Sequence, residues 1–289
     1  MTELAQTRPT KPASAAVHTF EVRTAVRLSP GFVRVTLRST GDGFEDEFEP
    51  LGHDQWFRLF LPTTAPSTDV PLVLPTGPAE GWYGRLQAMP EGVRPLVRNY
   101  TVREARRADW PTGTRWDLDV DLVVHASPTT GLPDGAAARW ALDAVAGYRL
   151  GEQVGVLDQG RIFAAEDHPG PLLVVADESG LPGVEGIARS LAAAGRTDVT
   201  YLLEVPAEAD RRPLPAGAPV VWVTREFTGH GRPPGAALLD TLAQFTIAPT
   251  AAVYAVGEAT LALGARRLAR AAGVPDEHID FCSYWRATH

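Results

Sequence analysis

Arg98-Asn99-Tyr100-Thr101 places a guanidinium, an aromatic ring and a hydroxyl within four residues. On an extended chain Arg98 and Tyr100 share one face and Thr101 takes the other. The guanidinium can neutralise a diphosphate, the ring can pack on an isoalloxazine or ribose, and the hydroxyl can reach a ring nitrogen or carbonyl. Taken alone, the tetrapeptide also describes an exposed strand with a cross-strand Arg–aromatic pair. Further along, His125 ends an alternating segment, and Gly135-Ala136-Ala137-Ala138-Arg139-Trp140 opens a helix. Small residues at a helix start admit a phosphate, and the free amides there attract anions. No arrangement suggests a general base or nucleophile. The seven histidines show no metal-ligand spacing. A single cysteine, Cys282, cannot form an internal disulfide, a thiolate zinc site or an iron–sulfur centre, and reads as a small buried hydrophobe.

Two kinds of element must position these residues. From about His18 to Ala164 the chain shows short alternating segments: Val33 to Leu37, Trp56 to Leu61, Leu96 to Val102, Trp116 to Leu122 and Gln153 to Leu157. In Trp116-Asp117-Leu118-Asp119-Val120-Asp121-Leu122 the three aspartates are expected to face solvent. One helix (Ala136 to Val145) interrupts the strands, so this half reads as a small antiparallel β-barrel. After residue 166 the rhythm changes. The continuous apolar run Leu172 to Ala176 precedes a helical pattern through Leu181, Val184, Ile187 and Leu191. Strands at Val199 to Leu203, Val220 to Val223, Ala252 to Val256 and Ile279 to Tyr284 follow, with helices at Ala236 to Gln244 and Thr260 to Ala271. Alternation of β and α implies a doubly wound parallel sheet, whose ligands sit beyond the carboxyl ends of the strands. The expected division is a disordered tail over 1–16, a barrel domain over 17–166 and an α/β domain over 167–289. Leu61 to Pro78, Pro206 to Pro219 and Arg232 to Gly235 read as surface loops.

The order of these segments resembles the siderophore-interacting protein family, flavin reductases of the ferredoxin-reductase type. The Arg-x-Tyr-Thr strand, the His-ended strand and the small-residue helix start resemble its FAD domain. Ala176-Asp177-Glu178-Ser179-Gly180-Leu181-Pro182 is similar to its acidic turn, with Gly180 where Ala is usual. Val256-Gly257-Glu258-Ala259 and Tyr284-Trp285-Arg286 resemble its A-G-E-A and Y-W-R segments. Asp54 to Leu59 matches an H-x-K-L stretch, with Arg58 in place of the Lys, and the link from Ala126 to Asp134 is longer than usual.

The resemblance implies a cytoplasmic, FAD-dependent ferric-siderophore reductase that draws electrons from NADH or NADPH. The flavin carries the chemistry, so no catalytic side chain and no protein-held metal are implied. FAD contacts are expected from Arg98, Asn99, Tyr100, Thr101, His125, Gly135, Ala136, Ala137, Ala138 and Trp140. Nucleotide contacts are expected around Asp177, Glu178, Ser179, Gly257 and Glu258. Trp285 either stacks near the flavin or anchors the C-terminus. Arg58, Arg139 and Arg286 are expected to line the pocket of an anionic ferric siderophore. Otherwise Arg58 is an ordinary strand residue, Arg139 serves the FAD phosphates, and Arg286 pairs with an acid such as Glu258. Glu204, ending the second strand of the α/β domain, favours an unphosphorylated ribose, whereas Arg211 and Arg212 favour a 2′-phosphate. The rival readings are a general NAD(P)H:flavin or ferredoxin-type reductase and a non-catalytic ferric-siderophore binder.

Composition is consistent with this reading. The 289 residues are 44% hydrophobic and 21% charged, enough for two domains with a real core. A formal charge of -8 argues against nucleic acid as a general partner. No apolar run approaches the about 18 residues of a membrane span, and a monomer is expected.

Overall fold

The computed structural model describes residues 10–63, 71–111, 113–125, 133–215, 218–228 and 232–287. They form two compact units, one of Thr10–Leu51 with Gln55–Gly160, the other containing Gly52–Asp54 and Arg161 onward. The tail expected over 1–16 is described from Thr10, and the Thr10 carbonyl packs so closely on Gly160 (φ +76°) that a Cβ there would overlap it.

In the first unit the strands are β1 (Ala16–Ser29), β2 (Phe32–Ser39), β3 (Trp56–Leu61), β4 (Gly77–Pro78), β5 (Leu96–Thr101), β6 (Glu104–Trp110), β7 (Gly113–Val123) and β8 (Gln153–Asp158). They pair antiparallel in the order β5-β3-β8-β1-β2-β7-β6, with β4 on β1, as a barrel-like sheet. Its inner face buries Phe20, Val35, Leu37, Phe57, Leu59, Leu118, Val120 and Leu122. The short helices are α1 (Phe44–Glu47) and α2 (Trp82–Ala88), and the longer α3 (Ala136–Val145) covers the core with Ala138, Trp140, Ala141 and Ala144. Neither α1 nor α2 was expected. The Pro- and Gly-rich sequence around α2 hides a helix of about two turns, whose Leu86 and Trp82 pack on Phe60 and Val97, on the outer face of the sheet.

The three aspartates of β7 do not face solvent as expected. They meet arginines of the flanking strands. Arg34 Nε and Nη2 donate to the Asp121 carboxylate at 2.7 and 2.9 Å, and Arg38 pairs with Asp117 at 2.6 Å. Asp119 accepts from Thr36 Oγ1 and from both Arg106 Nη atoms, each at 2.7 Å. Asp119 and Asp121 are consequently buried. The alternation rule identifies the polar face correctly, but a polar face is not necessarily a wet one when each acid has a cation opposite it.

The second unit contains β9 (Leu172–Ala176), α4 (Leu181–Ala193), β10 (Val199–Val205), β11 (Val220–Thr224), α5 (Ala236–Leu242), β12 (Ala252–Glu258), α6 (Ala259–Ala271) and β13 (Ile279–Trp285). All five strands pair parallel in the order β11-β10-β9-β12-β13. The strand order reverses between β9 and β12, which makes their carboxyl ends the switch point of a doubly wound sheet. Every residue of β9 and of β12 is buried, as parallel strands covered on both faces require. Gly186 on α4 is obligatory, because a Cβ there would lie 2.0 Å from the His53 carbonyl oxygen.

Asp119 tests the reading of β7. Asp119→Ala should lower the unfolding free energy by about 2 kcal/mol, as expected for removing hydrogen bonds to a charged group. Arg106→Ala should cost less, since Arg106 is the more exposed partner. Urea melts decide it, and an Asp119→Ala protein as stable as wild type would return these aspartates to a solvated role.

Candidate functional site

In the first unit the ladder pairs Phe57 with Tyr100, Arg58 with Asn99 and Leu59 with Arg98. Arg98 and Tyr100 therefore lie on the face of β5 that adjoins the core, and Arg58, Asn99 and Thr101 lie on the other. Tyr100 packs against the core cluster, and burial pushes its phenol up to about 12. Arg98 is exposed, and among the described residues its guanidinium has no carboxylate partner and donates to its neighbour's carbonyl, Val97 O, at 2.8 Å. A cation on an edge strand with no carboxylate is suited to an external anion. Thr101 is buried and Asn99 exposed.

The start of α3 has the second anion-binding feature. Its N-cap, Gly135, has φ +83°, no side chain caps the helix, and a Cβ built on Gly135 would meet nothing within 4 Å. Ala136 and Ala137 leave the first amides sterically open, while Ala138 is buried. These residues fit a phosphate-bearing group. Trp140 is turned inward, 3% exposed, and its indole donates to Glu152 Oε2 at 2.8 Å, which makes it a core residue here. Asp134 N donates to His125 O at 2.8 Å, closing the base of the long link. Residues 126–132 of that link lie outside the described residues. Arg139 is exposed on α3 with no contact to Arg58, which is half-buried between Trp56 and Trp82.

In the second unit the acidic turn after β9 meets the glycine turn that ends β12. Asp177 is fully buried, yet its carboxylate accepts from Ser179 N (2.8 Å), Ser179 Oγ (2.5 Å), Glu258 N (2.6 Å) and Trp285 Nε1 (3.0 Å). Gly257, at φ +131°, has no alternative, because a Cβ would sit 2.5 Å from the Asp177 carboxyl carbon. Gly180 has an ordinary φ but lies against Val256, whose Cγ2 would be 2.6 Å from an added Cβ. An alanine there would require Val256 to move. Burial, reinforced by the neighbouring Glu178 charge, pushes Asp177 up to about 7. Glu258 caps α6 through Thr260 N at 2.5 Å and accepts from Ala287 N at 3.3 Å, whereas Arg286 is exposed and does not pair with it. Tyr284 contacts Tyr254 Oη at 3.2 Å, and Tyr254 donates to the buried Asp54 at 2.8 Å. Trp285, half-buried and bonded to Asp177, anchors the end of β13.

Arg225 is the residue that the sequence did not single out. It grips Glu178 through both terminal nitrogens, at 2.7 and 2.5 Å, and reaches Glu204 at 2.9 Å. Glu204 also accepts from Gly235 N and Leu238 N and is buried, so it is engaged in holding the strand end to the start of α5. Of the two competing arginines, Arg212 lies against buried Glu185 at 3.5 Å, and Arg211 pairs with exposed Glu208 and Thr224. The signal that could have found Arg225 is the pair of acids on adjacent strand ends, which burial obliges to share a cation.

Residues 21–157 match the siderophore-interacting FAD-binding domain and residues 170–288 the siderophore-interacting protein domain. A siderophore utilization protein from T. fusca is 26% identical, with a TM-score of 0.67 over 99% of this chain and 97% of that one. The siderophore-interacting protein SipS from Aeromonas hydrophila, 20% identical, superposes with a TM-score of 0.64 over 96% of this chain and 100% of that one, a likeness of fold. An uncharacterized protein of Mycobacterium tuberculosis is 26% identical over 226 residues, 74% of this chain and 67% of that protein.

The raised Asp177 carboxyl has a signed consequence. The folded state holds this proton more tightly than the unfolded chain, so its contribution to stability is complete below pH 4 and is lost as pH rises to about 7. Asp177→Asn should flatten that part of the stability profile, measured as wild type minus variant by urea melts from pH 4 to 8. A difference that stays constant across the range would show that Asp177 does not titrate there.

Proposed function

Because the chain belongs to the siderophore-interacting protein family, we propose that it is an FAD-dependent ferric-siderophore reductase that takes electrons from NADH or NADPH. The observation that carries this reading is the exposed, uncompensated guanidinium of Arg98 beside half-buried Tyr100, in a unit that matches the family's FAD-binding domain. Arg98, Tyr100 and the Gly135–Ala137 amides would hold FAD, which would supply the conversion between the two-electron chemistry of a nicotinamide and the one-electron reduction of iron(III).

The protein's own residues bind and orient. Arg98 would neutralise the diphosphate and Tyr100 would supply a flat apolar surface, while Asn99 and buried Thr101 lie on the opposite face of the strand. Gly135, Ala136 and Ala137 offer backbone amides to a phosphate. Asp177 orders the Gly257–Glu258 turn and the Trp285 ring at the switch point of the parallel sheet, so these residues shape the nucleotide site through the backbone. Glu178 acts behind them through Arg225 and is not a ligand contact. Among the described residues Arg58 and Arg139 of the first unit and Arg286 of the second have no carboxylate partner, and each adds attraction for an anionic ferric complex.

The reading is tested on the purified protein. A flavin spectrum, bleached anaerobically by NADH or NADPH and restored by ferric siderophore, is expected. Faster restoration by a ferredoxin than by any ferric complex would identify a general reductase, and absence of flavin would leave only a binding protein. Arg98→Ala should purify with an intact fold and FAD affinity reduced about ten- to a hundredfold, the worth of one charge-assisted contact. Full flavin occupancy in that variant would remove Arg98 from the site.

A further inference from the structure

In the second unit one guanidinium links the ends of three adjacent strands. Arg225 opens a short 3₁₀ turn after β11, and its carbonyl accepts from Thr228 N and Thr228 Oγ1, each at 3.0 Å. Its Nη1 and Nη2 donate to the two oxygens of Glu178, just past β9, at 2.7 and 2.5 Å. Nη1 also reaches Glu204 Oε1 on β10 at 2.9 Å. The same Glu204 carboxylate accepts from Gly235 N at 2.7 Å and Leu238 N at 3.3 Å, which ties in the start of α5. Both acidic side chains are 0% exposed and that of Arg225 is 17% exposed, so these charges meet almost out of water.

The charge balance here decides what can approach. Asp177, Glu178 and Glu204 place three buried carboxyls at the carboxyl ends of β9 and β10, the side on which a doubly wound sheet takes its ligand. Asp177 is met by neutral donors from Ser179, Glu258 and Trp285. Arg225 is the cation that answers Glu178 and Glu204. Burial opposes its charge, yet the two carboxylates outweigh burial and hold it above the usual arginine range. Without it, two carboxylates stranded out of water would repel a diphosphate brought near them. Fold stability alone does not call for such a triad, since apolar packing often replaces one without loss.

We propose that Arg225 is a positioning residue of the nucleotide site. It holds the acidic turn after β9 against β10 and cancels the charge that would exclude a dinucleotide, without touching the ligand. The dinucleotide as ligand rests on the reductase reading above, but the role can be tested without turnover. NAD+ and NADP+, which cannot reduce the flavin, are titrated calorimetrically into the FAD-loaded protein. Wild type is expected to bind one of them. Arg225→Gln leaves both carboxylates unanswered and should weaken that nucleotide about tenfold or more, a typical value for one charged contact. Arg225→Lys keeps the charge but not the fork that spans two acids, and should lose less. In Arg225→Gln/Glu178→Gln one carboxylate is gone, and affinity should rise above that of Arg225→Gln. A merely structural role gives the opposite order, because the double variant has lost one more bonded charge. Arg270→Ala removes an exposed cation of α6 paired with Asp276, and should change nothing. Circular dichroism and FAD content establish that each variant is folded.

Wild-type affinity in Arg225→Gln, or a double variant weaker than Arg225→Gln, would overturn the proposal. Should Arg225→Gln not fold, Arg225→Lys decides, and wild-type affinity there would overturn it equally. The two readings fail separately. Nucleotide binding that ignores Arg225 would remove this role and leave the reductase. Arg225-dependent binding without any iron reduction would do the reverse, and a wild type that binds neither nucleotide would remove both.

Discussion

Much of the second unit depends on keeping one carboxylate out of water. Removing a charge from solvent costs several kcal/mol, and at Asp177 four donors from three separate stretches of chain offset only part of this, since burial still pushes the carboxyl up to about 7. The Ser179 bonds turn the chain after β9, the Glu258 amide fixes the end of β12, and the Trp285 indole ties down β13. The three short motifs are therefore one structure read at three places in the sequence. Glu178 adds a second buried charge beside the first, and Arg225 is the counter-ion that makes the pair tolerable.

The same accounting separates structural from ligand-facing cations in the first unit. Arg34, Arg38 and Arg106 are spent on the aspartates of β7, and Arg149 on Asp143 and Glu152. Among the described residues Arg98 has a backbone carbonyl as its partner, and Arg58 an amide oxygen and two indoles. A folded chain rarely leaves a half-buried guanidinium such as Arg58 without an acid, since the desolvation is then unrecovered.

Much of the fold was legible. Period-two alternation located β3, β5, β7 and β8, and continuous apolar runs located β9 and β12, because both signals report directly which faces are buried. What was illegible depended on partners distant in sequence. The burial of Asp119 and Asp121 requires Arg34 and Arg106 on neighbouring strands, and nothing in β7 alone announces them. Strand β6 and helix α2 are short, polar or Gly-rich, and are held by their neighbours more than by propensity. The site shows the same limit. Asp177 and Gly257 stand in short motifs visible in the sequence, whereas Arg225 matters only through the two acids that the fold brings to it. Trp140 illustrates the converse error, since proximity in sequence to a helix start says nothing about which side of that helix it occupies.

Net charge misleads in a similar way. At -8 the chain seems a poor host for an anion. Yet Asp177, Glu178, Glu204, Asp119 and Asp121 are buried and answered by internal donors or arginines, so their fields are largely spent inside. At physiological ionic strength charges beyond about 8 Å are screened, so a docking anion responds to the side chains it reaches and not to the total. Among the described residues Arg58 and Arg98 are held by neutral oxygens, Arg58 also by two indoles, and neither has a carboxylate partner. An acidic protein can in this way carry basic sites, and the acids that make it acidic are the ones that hold its turns in place.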